Sequence, residues 1–257
     1  MLQPRRWCSF SHLLLVLFVA ALFAISQLQS SCKARETAPA VSSVPASPTN
    51  LPPSPPPTTT DTPPVEQGNF RQPELIELIK LDPTIKLDIR YATANNFVGR
   101  PLYTEARAFL QKPAAEALKR ASAKLQKQGY GLLIFDGYRP WAITKLFWDV
   151  TSGEQHNFVA DPRKGSKHNR GCAVDLSLYD LKTGQEVPMT GAYDEMTERS
   201  YPTYKGGTEA QRRTRDLLRA AMEAEGFRVN EYEWWHFDYK DWQQYPLLNF
   251  SFADLNH

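Results

Sequence analysis

Two histidines, an aspartate, a glutamate and an arginine stand out by the motifs around them. The stretch Gly165-Ser166-Lys167-His168-Asn169-Arg170-Gly171-Cys172-Ala173-Val174-Asp175 sets His168 and Asp175 seven residues apart, with a glycine between them. A fully extended chain would hold those side chains roughly 23 Å apart, too far to share an ion. The segment must fold back near Gly171, and glycine tolerates the backbone angles such a turn needs. Far downstream, Asn230-Glu231-Tyr232-Glu233-Trp234-Trp235-His236-Phe237-Asp238-Tyr239 supplies another histidine.

His168, Asp175 and His236 together make a set of three protein ligands, the number a catalytic zinc site takes while leaving one position open for water. Of the other histidines among the five, His12 falls in the N-terminal segment expected to be a signal, His257 is the last residue and His156 sits in a polar loop. The four-cysteine zinc pattern is absent, so a metal would use histidine and carboxylate. The His-Glu-x-x-His helix is absent too. Taken alone, each histidine is more often a surface or core residue than a ligand.

Glu233 precedes His236 by three positions, and on a regular strand the two would face opposite ways. Either a bulge intervenes, or Glu233 sits on the turn leading into the strand that carries His236. From either place it can act as general base toward a metal-activated water. Its plain alternative is a solvated acid beside Trp234 and Trp235. Arg139, in Asp136-Gly137-Tyr138-Arg139-Pro140, is placed to hold a developing oxyanion; its alternative is stacking on Tyr138 or Trp141.

The elements that must position these groups follow from apolar patterning. Thr84 to Tyr91 alternates, with Ile85, Leu87, Ile89 and Tyr91 on one face, and reads as a half-buried strand. Pro113 opens a helix that runs to about Gln128 and stops at Gly129. Tyr130 to Phe135 is a short buried strand, and Trp141 to Val150 another helix. Along Cys172 to Leu178, Cys172, Val174, Leu176 and Leu178 share one face. Asp175 then points off the packed side with Ala173 and Ser177. Cys172, between two ligands in sequence, reads as a buried small hydrophobe. Thr208 to Glu225 is a charged amphipathic helix with Leu217, Leu218, Ala221 and Met222 inward, stopped at Gly226. Helices and strands mix without strict alternation, which predicts an α+β domain rather than a doubly wound one.

The 257 residues carry 30 Lys+Arg against 28 Asp+Glu, a net charge of +2. With no basic stripe, nucleic-acid binding has no support. Arg5 and Arg6 precede the apolar run Leu13 to Ile25, which has the length of a secretory signal and is short for a membrane span. Residues 1–32 are therefore expected to be a signal segment and the domain to be exported, to the periplasm or to an anchored position facing outward. Lipidation at Cys32, simple cleavage and retention as an anchor are the three outcomes; Gln29 departs from the usual lipoprotein pattern. Residues 33–68 hold half of the 20 prolines, mixed with Ser, Thr and Ala. That composition buries no core and predicts a solvated tether. The folded domain is expected over 69–257. Cys8 and Cys32 fall in or beside the signal, leaving no disulfide framework.

Ser166-x-His168-x-x-Gly171-x-Ala173-x-Asp175, Glu233-x-x-His236 and Asp136-Gly137-Tyr138-Arg139-Pro140 together resemble the zinc D-alanyl-D-alanine dipeptidases of the VanX type. Arg90-Tyr91-Ala92-Thr93-x-Asn95-Asn96-Phe97 and Tyr193-Asp194-Glu195-Met196 add to the likeness, which spans about residues 70 to 245. The resemblance implies one zinc held by His168, Asp175 and His236, with Glu233 as base and Arg139 stabilising the tetrahedral intermediate. It also implies Asp194 as the partner of the dipeptide's ammonium group, with Ser166 and Tyr91 near the substrate. The implied fold is a single α+β zinc-peptidase domain with a central, mainly antiparallel sheet flanked by helices. The implied activity is hydrolysis of D-Ala-D-Ala in peptidoglycan metabolism. The exported address keeps two alternatives in play: a D,D-carboxypeptidase trimming wall peptides, and a zinc-stabilised binding module without catalysis. Retention of Glu233 and Arg139 argues against the last. Nothing in the sequence sets an oligomeric state.

Overall fold

The structure, a computed structural model, describes residues 62–255, and its elements follow the apolar patterning in all but one stretch. The signal segment, Cys8, Cys32, most of the tether and His257 lie outside the described residues. Strand β1 (Leu75–Glu77), helix α1 (Leu78–Leu81) and strand β2 (Lys86–Leu87) come first, then β3 (Phe109–Gln111), which pairs antiparallel with β1. Helix α2 (Lys112–Gln126) begins beside Pro113, and Gly129 follows at φ +88°, a backbone angle that suits glycine. Strand β4 (Tyr130–Asp136) and helix α3 (Trp141–Val150) match their apolar runs. Strand β5 (Ala173–Asp180), helix α4 (Glu209–Glu223), β6 (Phe227–Val229) and β7 (His236–Tyr239) complete the set. A reciprocal capping box, Thr208 with Gln211, starts α4.

The exception is Thr84 to Tyr91. Only Lys86–Leu87 is paired as strand there, and Arg90–Ala92 forms a 3₁₀ turn. Ile85, Ile89 and Tyr91 are buried nonetheless. Beyond Leu87 the chain keeps one bond to β4, Asp88 N–H to the Ile134 carbonyl at 2.9 Å, and then turns away. The alternation thus recorded burial rather than a continuous ladder.

The main sheet runs β2-β4-β5-β7-β6, with β2–β4 parallel and every other pairing antiparallel. α2 packs against β4 and α4, so these two helices cover one face. Into that face β5 sends Val174, Leu176 and Leu178, which join Leu118 and Leu125 of α2 and Leu218 and Met222 of α4 in the large core cluster. Cutting any of these leucines to alanine costs about 2–5 kcal/mol. Cys172 is buried in the same cluster, as its parity requires. The opposite face holds a smaller cluster, Leu133, Phe135 and Tyr179, with Tyr193 packed against it. Asp175 belongs to this second face.

One irregularity decides where an acid points. The register of β4 on β5 runs regularly to Ile134↔Leu176, then shifts so that Asp136 faces Asp175. By simple alternation Asp136 would follow Ile134 into the large core. The bulge at Phe135 turns it to the other face instead.

Candidate metal and catalytic centre

The fold-back expected at Gly171 is present. His168–Arg170 forms a 3₁₀ turn, and Gly171 closes it at φ +67°. A Cβ there would also meet Leu75 Cδ2 at 2.5 Å, so the position suits glycine on two counts. The chain enters β5 directly afterwards, and His168 Nε2 comes to 3.3 Å from Asp175 Oδ1. Asp175 and His236 are register partners across β5 and β7, with Asp175 Oδ1 3.1 Å from His236 Nδ1. The two histidine nitrogens lie 3.1 Å apart.

These three buried ligand atoms all fall within 4.8 Å of one another. Their outer hydrogen bonds test whether a cation fits. His168 Nδ1 donates to the Gly137 carbonyl at 2.7 Å, and His236 Nε2 donates to Asp238 Oδ1 at 2.9 Å. Burial opposes a charge on His236, but Asp238 and Asp175 raise its pKa well above the ordinary value. A cation displaces the inner proton, and each neutral ring then keeps its one N–H outward and turns a lone pair inward. Asp175 Oδ1, buried among them, then has no hydrogen-bond donor. Two lone pairs and an orphaned carboxylate oxygen converging on one point are a donor set for a divalent cation. The Asp238 carboxyl is held low, to about 2: burial opposes its charge, and His236 and Lys167 outweigh it. It stays a carboxylate and fixes the tautomer of His236.

Glu233 sits on the turn before β7, the second of the two arrangements open from sequence. Its Oε2 is 3.6 Å from His236 Nδ1 and accepts from Asn230 Nδ2 at 3.3 Å. Burial first of all pushes its carboxyl up to about 8. A cation on the three ligands would draw it back down.

Arg139 lies in the turn between β4 and α3, buried. Its Nε donates to Asp136 Oδ2 at 2.8 Å, and its Nη2 is 3.6 Å from Asp175 Oδ2. Burial opposes its charge, but Asp136 and its neighbours keep it protonated. The guanidinium does stack, 4.8 Å from the Phe147 ring and 5.5 Å from that of Tyr91. The sequence had offered Tyr138 and Trp141 instead. Those flank it along the chain, whereas the turn swings it across the cleft onto α3. Stacking and proximity to Asp175 coexist.

Asp194 holds φ +58°, unusual for a non-glycine residue. Its Oδ2 accepts from Tyr91 Oη at 2.9 Å, and burial, then the charge of Asp175, raises its carboxyl to about 7. Ser166 Oγ accepts from the His168 backbone N–H at 3.2 Å. Tyr91, Arg139, Ser166, His168, Asp175, Asp194, Glu233 and His236 all line one cleft of about 890 Å³. Every residue singled out from the sequence thus reaches the same place.

Two contributors escaped the sequence reading. Tyr193 Oη donates to Asp175 Oδ2 at 3.1 Å, and nothing in its local pattern pointed there. Asp238 had a usable signal: two residues past His236 on a strand, it shares that residue's face.

An α+β domain that seats a His-Asp-His ligand set beside a buried glutamate and arginine is a metallopeptidase. More narrowly, the chain belongs to the Peptidase_M15 family, D-ala-D-ala dipeptidase, whose pattern it matches over residues 71–254, and the family is metal-dependent. It is similar to a D-alanyl-D-alanine dipeptidase of Escherichia coli K12, 37% identical over 180 residues, covering 70% of this chain and 92% of that one. It is also similar to a D-alanyl-D-alanine dipeptidase of Enterococcus faecalis V583, 36% identical over 187 residues, covering 66% of this chain and 92% of the relative. A solved D,D-dipeptidase, VanXYg in complex with a D-Ala-D-Ala phosphinate analog, aligns at 19% identity over 66% of this chain and 68% of its own, with a TM-score of 0.34.

Proposed function

We propose that this domain hydrolyses the D-alanyl-D-alanine dipeptide to two D-alanines, using one zinc ion held by His168, Asp175 and His236. The observation that carries the reading is the placement of Glu233 and Arg139 about that ligand set in a single buried cleft. A structural metal needs neither. Zinc, when bound, supplies polarisation of the scissile carbonyl and a water acidified toward neutral pH.

The remaining work falls to the chain's own groups. Glu233 takes the proton of the attacking water and returns it to the departing amine. Arg139, fixed by Asp136 and by the rings of Phe147 and Tyr91, presents N–H donors toward the oxyanion. Asp194, with Tyr91 as its hydrogen-bond partner, receives the substrate ammonium. Ser166 stands at the cleft wall beside His168, near the substrate. We further propose that the domain works outside the cytoplasm, delivered by residues 1–32 and held at a distance by the proline-rich stretch. N-terminal membrane association would follow from lipidation or retention of that segment.

The test is a release assay on the purified protein, with zinc and with chelator. Free D-Ala-D-Ala and a wall pentapeptide ending in D-Ala-D-Ala are offered separately. Chelator-sensitive release of D-alanine from the dipeptide alone is the expected result. Release from the pentapeptide moves the assignment to a D,D-carboxypeptidase. No release from either leaves a binding module.

A further inference from the structure

We propose that Glu66 is a positioning residue for the metal-binding loop, acting from outside the span 71–254 that the family shares. The inference rests on reading His168, Asp175 and His236 as a metal site. Glu66 stands at the end of the stretch whose composition predicts a solvated tether, yet its carboxylate is spent on two parts of the domain. Oε1 accepts from Arg170 Nη2 at 2.5 Å, and Oε2 accepts from the Leu247 backbone N–H at 2.6 Å.

Arg170 is the relevant partner. It is the last residue of the 3₁₀ turn that begins at His168, and only 6% of it is exposed. Its Nη1 donates to the Tyr245 carbonyl at 2.5 Å, and its guanidinium lies 5.5 Å from the Trp242 ring. Glu66 is the carboxylate that pairs with this guanidinium among the described residues.

The loop is fastened on two sides. On the N-terminal side Asn169 does the work: Oδ1 accepts from Ser166 N–H at 2.8 Å, while Nδ2 reaches the Arg139 carbonyl at 2.9 Å and Thr144 Oγ1 at 2.8 Å. On the C-terminal side the Gly171 carbonyl accepts from the Gln111 N–H at 2.8 Å, and Arg170 adds a carbonyl that accepts from Gln111 Nε2 at 2.9 Å and a side chain held by Glu66. Without Glu66, a buried cation keeps only a carbonyl and a ring. Such a group draws in water or shifts until it is solvated. The turn that aims His168 Nε2 at Asp175 moves with it. Metal affinity is sensitive to small changes of this kind, because ligand orientation is set by the contacts behind the ligands.

The experiment uses the full chain with Glu66→Gln and Glu66→Ala, and with Glu77→Gln as a remote control. Zinc affinity is measured by competition with a chromogenic chelator under conditions where circular dichroism shows each protein folded. Exchange of the backbone amides of residues 166–171 is followed in the metal-free proteins. Glu66→Ala is expected to weaken zinc binding about tenfold and speed exchange in that loop. Glu66→Gln, which keeps the shape and loses the charge, is expected to act in the same direction and serves if the alanine variant does not fold. Glu77→Gln should leave zinc affinity unchanged. Wild-type zinc affinity in both Glu66 variants overturns the inference. Absence of zinc binding by the wild type overturns the metal reading itself, and this inference with it.

Discussion

Asp175 and His236 face each other as register partners on β5 and β7, 3.1 Å between carboxylate oxygen and ring nitrogen, while Asp136 on β4 takes the place opposite Asp175 on its other side. One row across three strands thus carries the anchor of the arginine, the shared ligand and the second histidine. The register of the sheet sets their spacing. His168, Glu233 and Arg139 enter from turns.

Glu233 holds no metal in this arrangement; it lies beside the ligands, with its Oε2 3.6 Å from His236 Nδ1. Glu233→Ala should therefore keep its zinc, measured by metal analysis after gel filtration, and lose turnover by about 10²–10⁴-fold, the usual worth of a positioned base. Loss of the metal in this variant would show that its role is misassigned.

Tyr193 aligns the shared carboxylate. Its hydroxyl holds Asp175 Oδ2 at 3.1 Å, leaving Oδ1 toward the histidines, and its ring stacks on Phe135 at 4.4 Å. Tyr193→Phe keeps the stack and removes only the donor. Zinc affinity is expected to fall about tenfold with little change in thermal stability. Equal affinities in a chelator competition would show that Asp175 needs no such alignment.

Much of this arrangement could be read from residue patterns, and the exceptions share a cause. α2, α4 and β5 declared themselves because each has one covered face, and periodicity reports a covered face directly. The turn at Gly171 was required by distance alone. The bulge that turns Asp136 toward Asp175 is a property of two strands in register, so no window of one strand contains it. Glu66 was hidden for a different reason: composition around it describes a solvated chain, and a single carboxylate clipped to Arg170 leaves that composition unchanged. Tyr193 reaches Asp175 through a loop whose course local pattern does not fix.

Asp194 offers a pH signature. Burial raises its carboxyl to about 7, and only the ionised form attracts an ammonium group. The KM for D-Ala-D-Ala is expected to fall as pH rises toward 7, with the midpoint displaced downward when zinc adds its charge nearby. Asp194→Asn should raise KM and flatten that limb, leaving zinc content intact. A variant whose KM keeps the wild-type pH dependence would place the ammonium elsewhere.

Glu77 tests acid stability away from the cleft. It closes β1, its carboxylate accepts from Arg107 Nε at 2.9 Å and from Arg107 Nη2 at 2.8 Å, and Lys80 Nζ lies 2.9 Å away. The Arg107 hydrogen bonds, against burial, bring its pKa down from 4.5 to about 2. A lowered carboxyl pKa means the unfolded chain takes up the proton first as acid is added. The stabilisation is therefore complete above pH 4.5 and fades as pH falls through 2. Glu77→Gln removes it, and the loss above pH 5 is expected to be about 1.5–3 kcal/mol, the range for a hydrogen bond to a charged group. Thermal unfolding of both proteins should show a constant gap above pH 5 that narrows between pH 4.5 and 2. A gap that stays constant down to pH 2 would mean that the side chain contributes through packing against its neighbours and that its charge is immaterial.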